Sequence, residues 1–246
     1  MRFFRKKSDG YKKETKQLLE HLHCECSVFL KNSRISEIQE AYTKAVKLGK
    51  LEGFTPLFIV PSALLLEEIF NHEEMEKVNL SQIQDGRTIL AKLWNESTEE
   101  RKEDIMFQTN REAIPDETIN NVLTWGAKDG RLVEEVILAK IPTKHPWEIF
   151  SSLPFGGWNE CPKPKEMMAV SKYWYEMFGA VPAVMSSDSL EFYLEHPICQ
   201  REEANLLAKE HFAFCEDRVF QCTVSGTLME LANCIWGSAV WWFWWD

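Results

Sequence analysis

Phe54-Thr55-Pro56-Leu57-Phe58-Ile59-Val60 is the stretch on which the fold turns. A short, continuous apolar run of aromatic and branched side chains is the pattern of a strand buried on both faces. Pro56 removes one backbone donor, so it belongs near the strand start or at a sheet edge. Upstream, Ser36 and Gln39 have capping-box spacing, and Ile38, Ala41, Tyr42, Ala45 and Leu48 recur at helical intervals. The spacing predicts an amphipathic helix over 36–48, with Gly49 as its left-handed stop. Ser27-Val28-Phe29-Leu30 before it reads as a short strand. Downstream, Ser62 is placed to cap a helix running to about Phe70, with Glu67 and Glu68 facing water. Strand, helix, strand, helix is the pattern of a layer of helices packed on a sheet.

Further along, Ile89, Leu90, Leu93 and Trp94 give Thr88–Trp94 a helical pattern, and Asn95–Asp104 is a dense charge run that reads as an exposed helix or loop. Pro115, Gly126 and Gly130 punctuate the chain and set an expected boundary near residue 130. Beyond it, Leu132–Ile141 reads as one strand. Pro164 opens a helix with an inner face of Met167, Val170, Trp174, Met177 and Phe178, stopped by Gly179. Val181–Met185 and Leu190–Leu194 read as strands, Arg201–Phe214 as a helix, and Thr227 opens a last helix to about Trp236. The expected class is α+β: a mixed β-sheet flanked by helices, in two halves (1–130 and 131–246) that each alternate strands and helices.

A chain of 246 residues, 45% hydrophobic and 27% charged, has the balance of a globular protein able to bury a core. Its net charge of −10 argues against a nucleic-acid partner, because gripping phosphates requires a basic face. The one basic stretch, Arg2 to Lys16, reads as a solvated terminus. No apolar run reaches the roughly 18 residues of a membrane span, and no apolar core follows the charged start as it would in a secretory signal. The odd count of seven cysteines in no tight framework points to reduced thiols and a cytoplasmic location.

Several residue groups could carry chemistry. The paired glycines Gly156 and Gly157 let a backbone approach a ligand closely, and Trp158, Asn159, Glu160 and Cys161 would add a ring, an amide, an acid and a thiol from the same loop. This loop is the candidate ligand-binding element; the competing reading is a structural turn pinned by Trp147, Phe155 and Trp158. Cys161, His211 and Asp188 form a nucleophile, base and acid on paper, although His211 shares the apolar face of its helix with Ala204, Leu207, Ala208 and Cys215, as a core histidine would. Carboxylates Glu160, Asp188, Glu191, Glu210, Asp217 and Asp246 crowd the same half. His21, His23, Cys24 and Cys26 are potential soft-metal ligands, but no second pair with zinc-site spacing exists, so no metal site is expected. No dinucleotide, P-loop, nucleophile-elbow or zinc-protease motif occurs, and no cofactor is called for.

The loop Pro154-Phe155-Gly156-Gly157-Trp158-Asn159-Glu160-Cys161-Pro162 and the ending Trp242-Phe243-Trp244-Trp245-Asp246 carry a resemblance. Between them lie Lys172-Tyr173-Trp174-Tyr175, Gly179-Ala180-Val181-Pro182-Ala183, Asp188-Ser189-Leu190-Glu191-Phe192 and Leu207-Ala208-Lys209-Glu210-His211. Together they resemble the bacterial domain-of-unknown-function 4253 family over about Val133 to Asp246. The resemblance implies a shared fold and no activity. The expected function is a non-enzymatic binding or protein-interaction module, an immunity-type factor among its forms, in which an acidic surface meets a basic partner. The alternative is an enzyme or small-ligand sensor with its site at the Gly156–Cys161 loop.

Overall fold

The computed structural model describes residues 10–73, 83–97, 99, 102 and 118–246. One six-stranded mixed sheet organises them, in the order β1 (Cys26–Phe29), β5 (Val136–Pro142), β2 (Phe54–Ile59), β6 (Val181–Met185), β7 (Ser189–Tyr193), β8 (Val240–Trp244). All neighbours are antiparallel except β2 and β6, which run parallel through Phe58–Val184 and Ile59–Met185. Strands from before residue 130 (β1 and β2) flank β5 from after it, so a single sheet spans both halves of the chain. β3 (Ala127–Lys128) and β4 (Arg131–Leu132) form a separate small hairpin. The expected strand over 132–141 is thus two strands, broken where Glu135 turns to accept from the backbone N–H of Lys12 and the hydroxyl of Thr15.

Alternation along the strands divides the core into two layers. Leu57 and Ile59 of β2, and Ile137, Ala139 and Ile141 of β5, face the larger layer. Phe58, Val136 and Leu138 face the smaller one. Helix α2 (Ile35–Glu52) covers the smaller face through Ile38, Tyr42 and Ala45. The other face carries α1 (Lys13–His21), α3 (Ala63–Glu73), α4 (Gly86–Glu96), α6 (Pro164–Phe178), α7 (Arg201–Phe214) and α9 (Leu228–Ile235); α5 (Ile149–Ser152) and α8 (Asp217–Phe220) are single turns. A bulge between Pro182 and Val184 puts Ala183 and Val184 on the same face, the smaller layer.

Local chemistry accounts for most element ends. Ser62 accepts from the Leu65 backbone, Asp85 from Thr88 and Thr227 from Glu230, each capping its helix. Gly179 ends α6 at φ 70°. Helix α2 departs from expectation at both ends. Its stop is Gly53 at φ 77°, while Gly49 is buried mid-helix, where a Cβ would strike the Phe54 carbonyl. Its N-cap is Arg34, and Gln39 donates across to the Val122 carbonyl at 2.5 Å instead of closing a capping box. Met177, expected on the inner face of α6, is 61% exposed. Pro56 lies near the start of β2, before the ladder to β6 begins at Phe58, so its missing donor leaves no gap. Half of the charge run 95–104 lies outside the described residues.

Trp174 is the centre of the larger layer. Its ring contacts Phe192, His211, Phe214, Trp241 and Phe243 at centroid distances of 4.9 to 5.6 Å, and its Nε1 donates to Glu210 at 2.9 Å. Strand alternation sorts the tryptophan-rich end by face. Trp241, Phe243 and Trp245 are buried in this layer, while Trp242 and Trp244 are half-buried on the opposite side.

Candidate functional site

Because β2 and β6 are parallel, and β8 lies two antiparallel steps from β6, all three strands end at the same edge of the sheet. Open sheets place ligands at the carboxyl ends of parallel strands, where the chain departs in different directions. Here β2 leads through Val60, whose N–H bonds the Met185 carbonyl at 2.9 Å, into α3. β6 leads into a tight turn in which Ser186 Oγ accepts from the backbone of Ser189 and donates to Asp188 Oδ1 at 2.8 Å. β8 ends beside that turn: the Trp245 N–H bonds the Asp188 carbonyl at 3.0 Å, and Trp244 Nε1 donates to Asp188 Oδ2 at 3.2 Å.

The glycine loop closes over this edge. Gly156 and Gly157 have φ of 98° and 93°, and a Cβ on Gly156 would run into the Pro162 carbonyl, so the two limbs of the loop meet where only glycine fits. The Cys161 N–H bonds the Trp158 carbonyl at 2.9 Å, closing the turn. Trp158 packs edge-on to Phe155 at 4.9 Å, and Phe155 lies 5.8 Å from Trp245. Asn159 bonds the backbone carbonyl of Asp246, joining loop to chain end. Gly157, Asn159 and Glu160 are exposed and Trp158 is half-buried, whereas Gly156 and Cys161 are buried.

The residue that gives this edge its electrostatic character is Glu68. It faces inward, against the expectation that it faces water: its Oε2 is sealed from solvent and has no hydrogen-bond partner among the described residues. Burial, with the fields of Asp188 and then Glu67, pushes its carboxyl up to about 7. A signal was present, since Glu68 stands one turn beyond Leu65 and beside Ile69, on the margin of the buried stripe of α3.

The nucleophile trio is not assembled. His211 is fully buried among Trp174, Trp241 and Phe243, and neither ring nitrogen has a partner among the described residues. It is therefore a core histidine, as its helix face suggests, but without the hydrogen bonds such a residue ordinarily makes; burial holds its pKa well below the ordinary value. Burial pushes the Cys161 thiol well up, with Cys215 and Glu68 adding to the effect. A protonated thiol with no hydrogen-bonded base among the described residues is not an activated nucleophile. Asp188 does join the loop's surroundings, through Glu68 and Trp244.

The other carboxylates serve elsewhere. Glu210 accepts from Tyr173 and Trp174, Asp217 accepts from the Asp246 N–H, and Glu191 lies on the opposite face of the sheet. Cys24 and Cys26 lie 3.8 Å apart, Sγ to Sγ, and all seven cysteines are free of disulfides. Among the described residues no group of three or more His, Cys, Asp or Glu is arranged to hold a metal ion, and no helix is long and apolar enough to cross a membrane.

Residues 137–246 match the family model described as Domain of unknown function (DUF4253). The matched segment contains β5 to β8, the glycine loop, Asp188 and the tryptophan-rich strand; α3 with Glu68 precedes it. No curated protein and no solved structure gave a match.

Proposed function

We propose that the chain is a non-catalytic binding module whose site lies at the Glu68–Asp188 edge beneath the 156–161 loop, and that it receives a basic side chain of a protein partner. The observation that carries this reading is the sealed Oε2 of Glu68, without a partner among the described residues, beside a second carboxylate. A buried acceptor without a donor is costly, by about 1–3 kcal/mol, and an ammonium or guanidinium group supplies both the missing donor and the opposite charge. The net charge of −10 favours the approach of such a partner. Trp244 donates to Asp188 and Trp158 belongs to the glycine loop; both rings are half-buried, and such rings are suited to stacking the stem of a lysine or arginine. Catalysis finds less support, because Cys161 is buried and His211 bonds neither it nor Asp188.

The test is tryptophan fluorescence during titration with N-acetyl-arginine amide and N-acetyl-lysine amide. Saturable quenching at pH 8 that weakens at pH 5.5, as Glu68 takes up its proton, and that disappears in Glu68→Gln is the expected result. Equal responses from the parent chain and Glu68→Gln would refute the site. A small-ligand sensor would use the same loop; a native mass spectrum in which one chain retains extra mass favours that version over the protein partner.

A further inference from the structure

Arg218 is a second buried group whose charge no described residue answers. It lies in the single turn α8, below the end of β8, and only 6% of its surface is exposed. Its Nε is sealed from solvent with no hydrogen-bond acceptor among the described residues. The guanidinium carbon sits 5.7 Å from the centre of the Phe243 ring. Among the described residues, the ionisable groups that act on it are the thiols of Cys222, Cys234 and Cys215, not a carboxylate. Two of these are pushed up, Cys215 to about 12 and Cys222 by burial, so they are neutral near pH 7 and offer the cation no counter-charge. Its acidic neighbour Asp217 turns the other way, accepting from the Asp246 N–H and from Gln221. His211, within the reach of Arg218's charge, adds two more partnerless ring nitrogens.

A buried guanidinium with no anion is expensive, since the desolvation penalty is several kcal/mol and one aromatic face returns only about 0.5–2 kcal/mol. Arginine is also the side chain best matched to a planar or tetrahedral oxyanion, which it can grip through two parallel N–H donors. We infer that Arg218 anchors an anion-binding site, lined by Phe243 and Cys222, that takes the carboxylate or phosphate group of a small ligand. Nothing in this depends on the Glu68 edge, whose ligand has the opposite charge. The two are nevertheless joined mechanically: Cys215 donates from Sγ to the Trp244 carbonyl at 3.0 Å, and Trp244 holds Asp188.

The experiment is thermal unfolding of the full chain in sodium chloride, sodium acetate and sodium phosphate at matched ionic strength, with the parent chain and Arg218→Met. The inference expects the parent Tm to rise by a few degrees, saturably, with millimolar phosphate or acetate, and the stronger of the two identifies the preferred oxyanion. It expects Arg218→Met to lose that response while melting at or above the parent in chloride, because an apolar side chain of similar length removes the unanswered charge. A parent chain whose Tm is the same in all three salts overturns it, whether or not the variant folds. So does an Arg218→Met chain that melts far below the parent in chloride yet still responds to phosphate, since the arginine would then be a structural cation and the anion bound elsewhere.

Discussion

The backbone N–H of Leu123 donates a 2.7 Å hydrogen bond to Glu191, a carboxyl that is 1% exposed on the α2 side of the sheet. Trp125 donates to the same side chain. This acid ties the segment before β3 onto β7, and burial outweighs both donors, raising its pKa to about 8. The folded chain therefore holds this proton more tightly than the unfolded chain, where the ordinary value is 4.5. The contribution to stability is complete below about pH 4.5, and it is lost as pH rises through about 8. Unfolding by urea at pH 5, 7 and 9 should show stability falling by up to about 1.4 kcal/mol per pH unit from this group. Glu191→Gln keeps an acceptor for Leu123 and should flatten that slope; an unchanged slope would place the proton elsewhere.

Gly156→Ala should destabilise the chain. The position needs φ of 98°, and its added methyl would meet the Pro162 carbonyl, which is backbone and cannot rotate away. A cost of about 2–3 kcal/mol follows from strain and displacement of the loop. Calorimetry reads it as a fall in Tm, and a variant within half a degree of the parent would show that the limbs of the loop can part freely.

Trp174→Phe removes the donor to Glu210 and part of the ring that meets Phe214 and Phe243. Glu210 retains Tyr173, so the loss should be about 1–3 kcal/mol rather than the 3–5 expected of Trp174→Ala. Equilibrium denaturation of the two variants measures the difference, and equal losses would mean that the ring phenylalanine retains contributes little and that the hydrogen bond to Glu210 dominates.

Residues 131–246 expressed alone should not unfold cooperatively. β5 would lose both of its neighbours, β1 and β2, and Ile137, Ala139 and Ile141 would be uncovered along two open edges. Circular dichroism melting is the measurement, and a sharp transition near that of the whole chain would show that β5 finds other partners.

Much of this architecture is written locally. Arg201–Phe214, Pro164–Phe178 and the helix opened by Thr227 are legible because apolar spacing, a first-turn proline and side-chain caps act within a few residues. The strand at Phe54, the pairing of tryptophans on opposite sides of β8, and the special backbone of Gly156 are legible for the same reason. Helix α1 was hidden because the stretch after residue 17 alternates without a clear period, and α2 ran past Gly49 because burial against Phe54 needs a residue without a side chain there.

What the tertiary structure alone decided is who stands next to whom. Placing β5 between β1 and β2, and setting β2 parallel to β6, are choices among long-range pairings that no local pattern distinguishes. From them follow the edge where Glu68 meets Asp188, the burial of Arg218 without a carboxylate partner among the described residues, and the absence of a bond between His211 and Cys161. Desolvation and charge coupling sum over groups far apart in the chain, so the residue types can be read in sequence, but their protonation and partners exist only once the sheet has assembled.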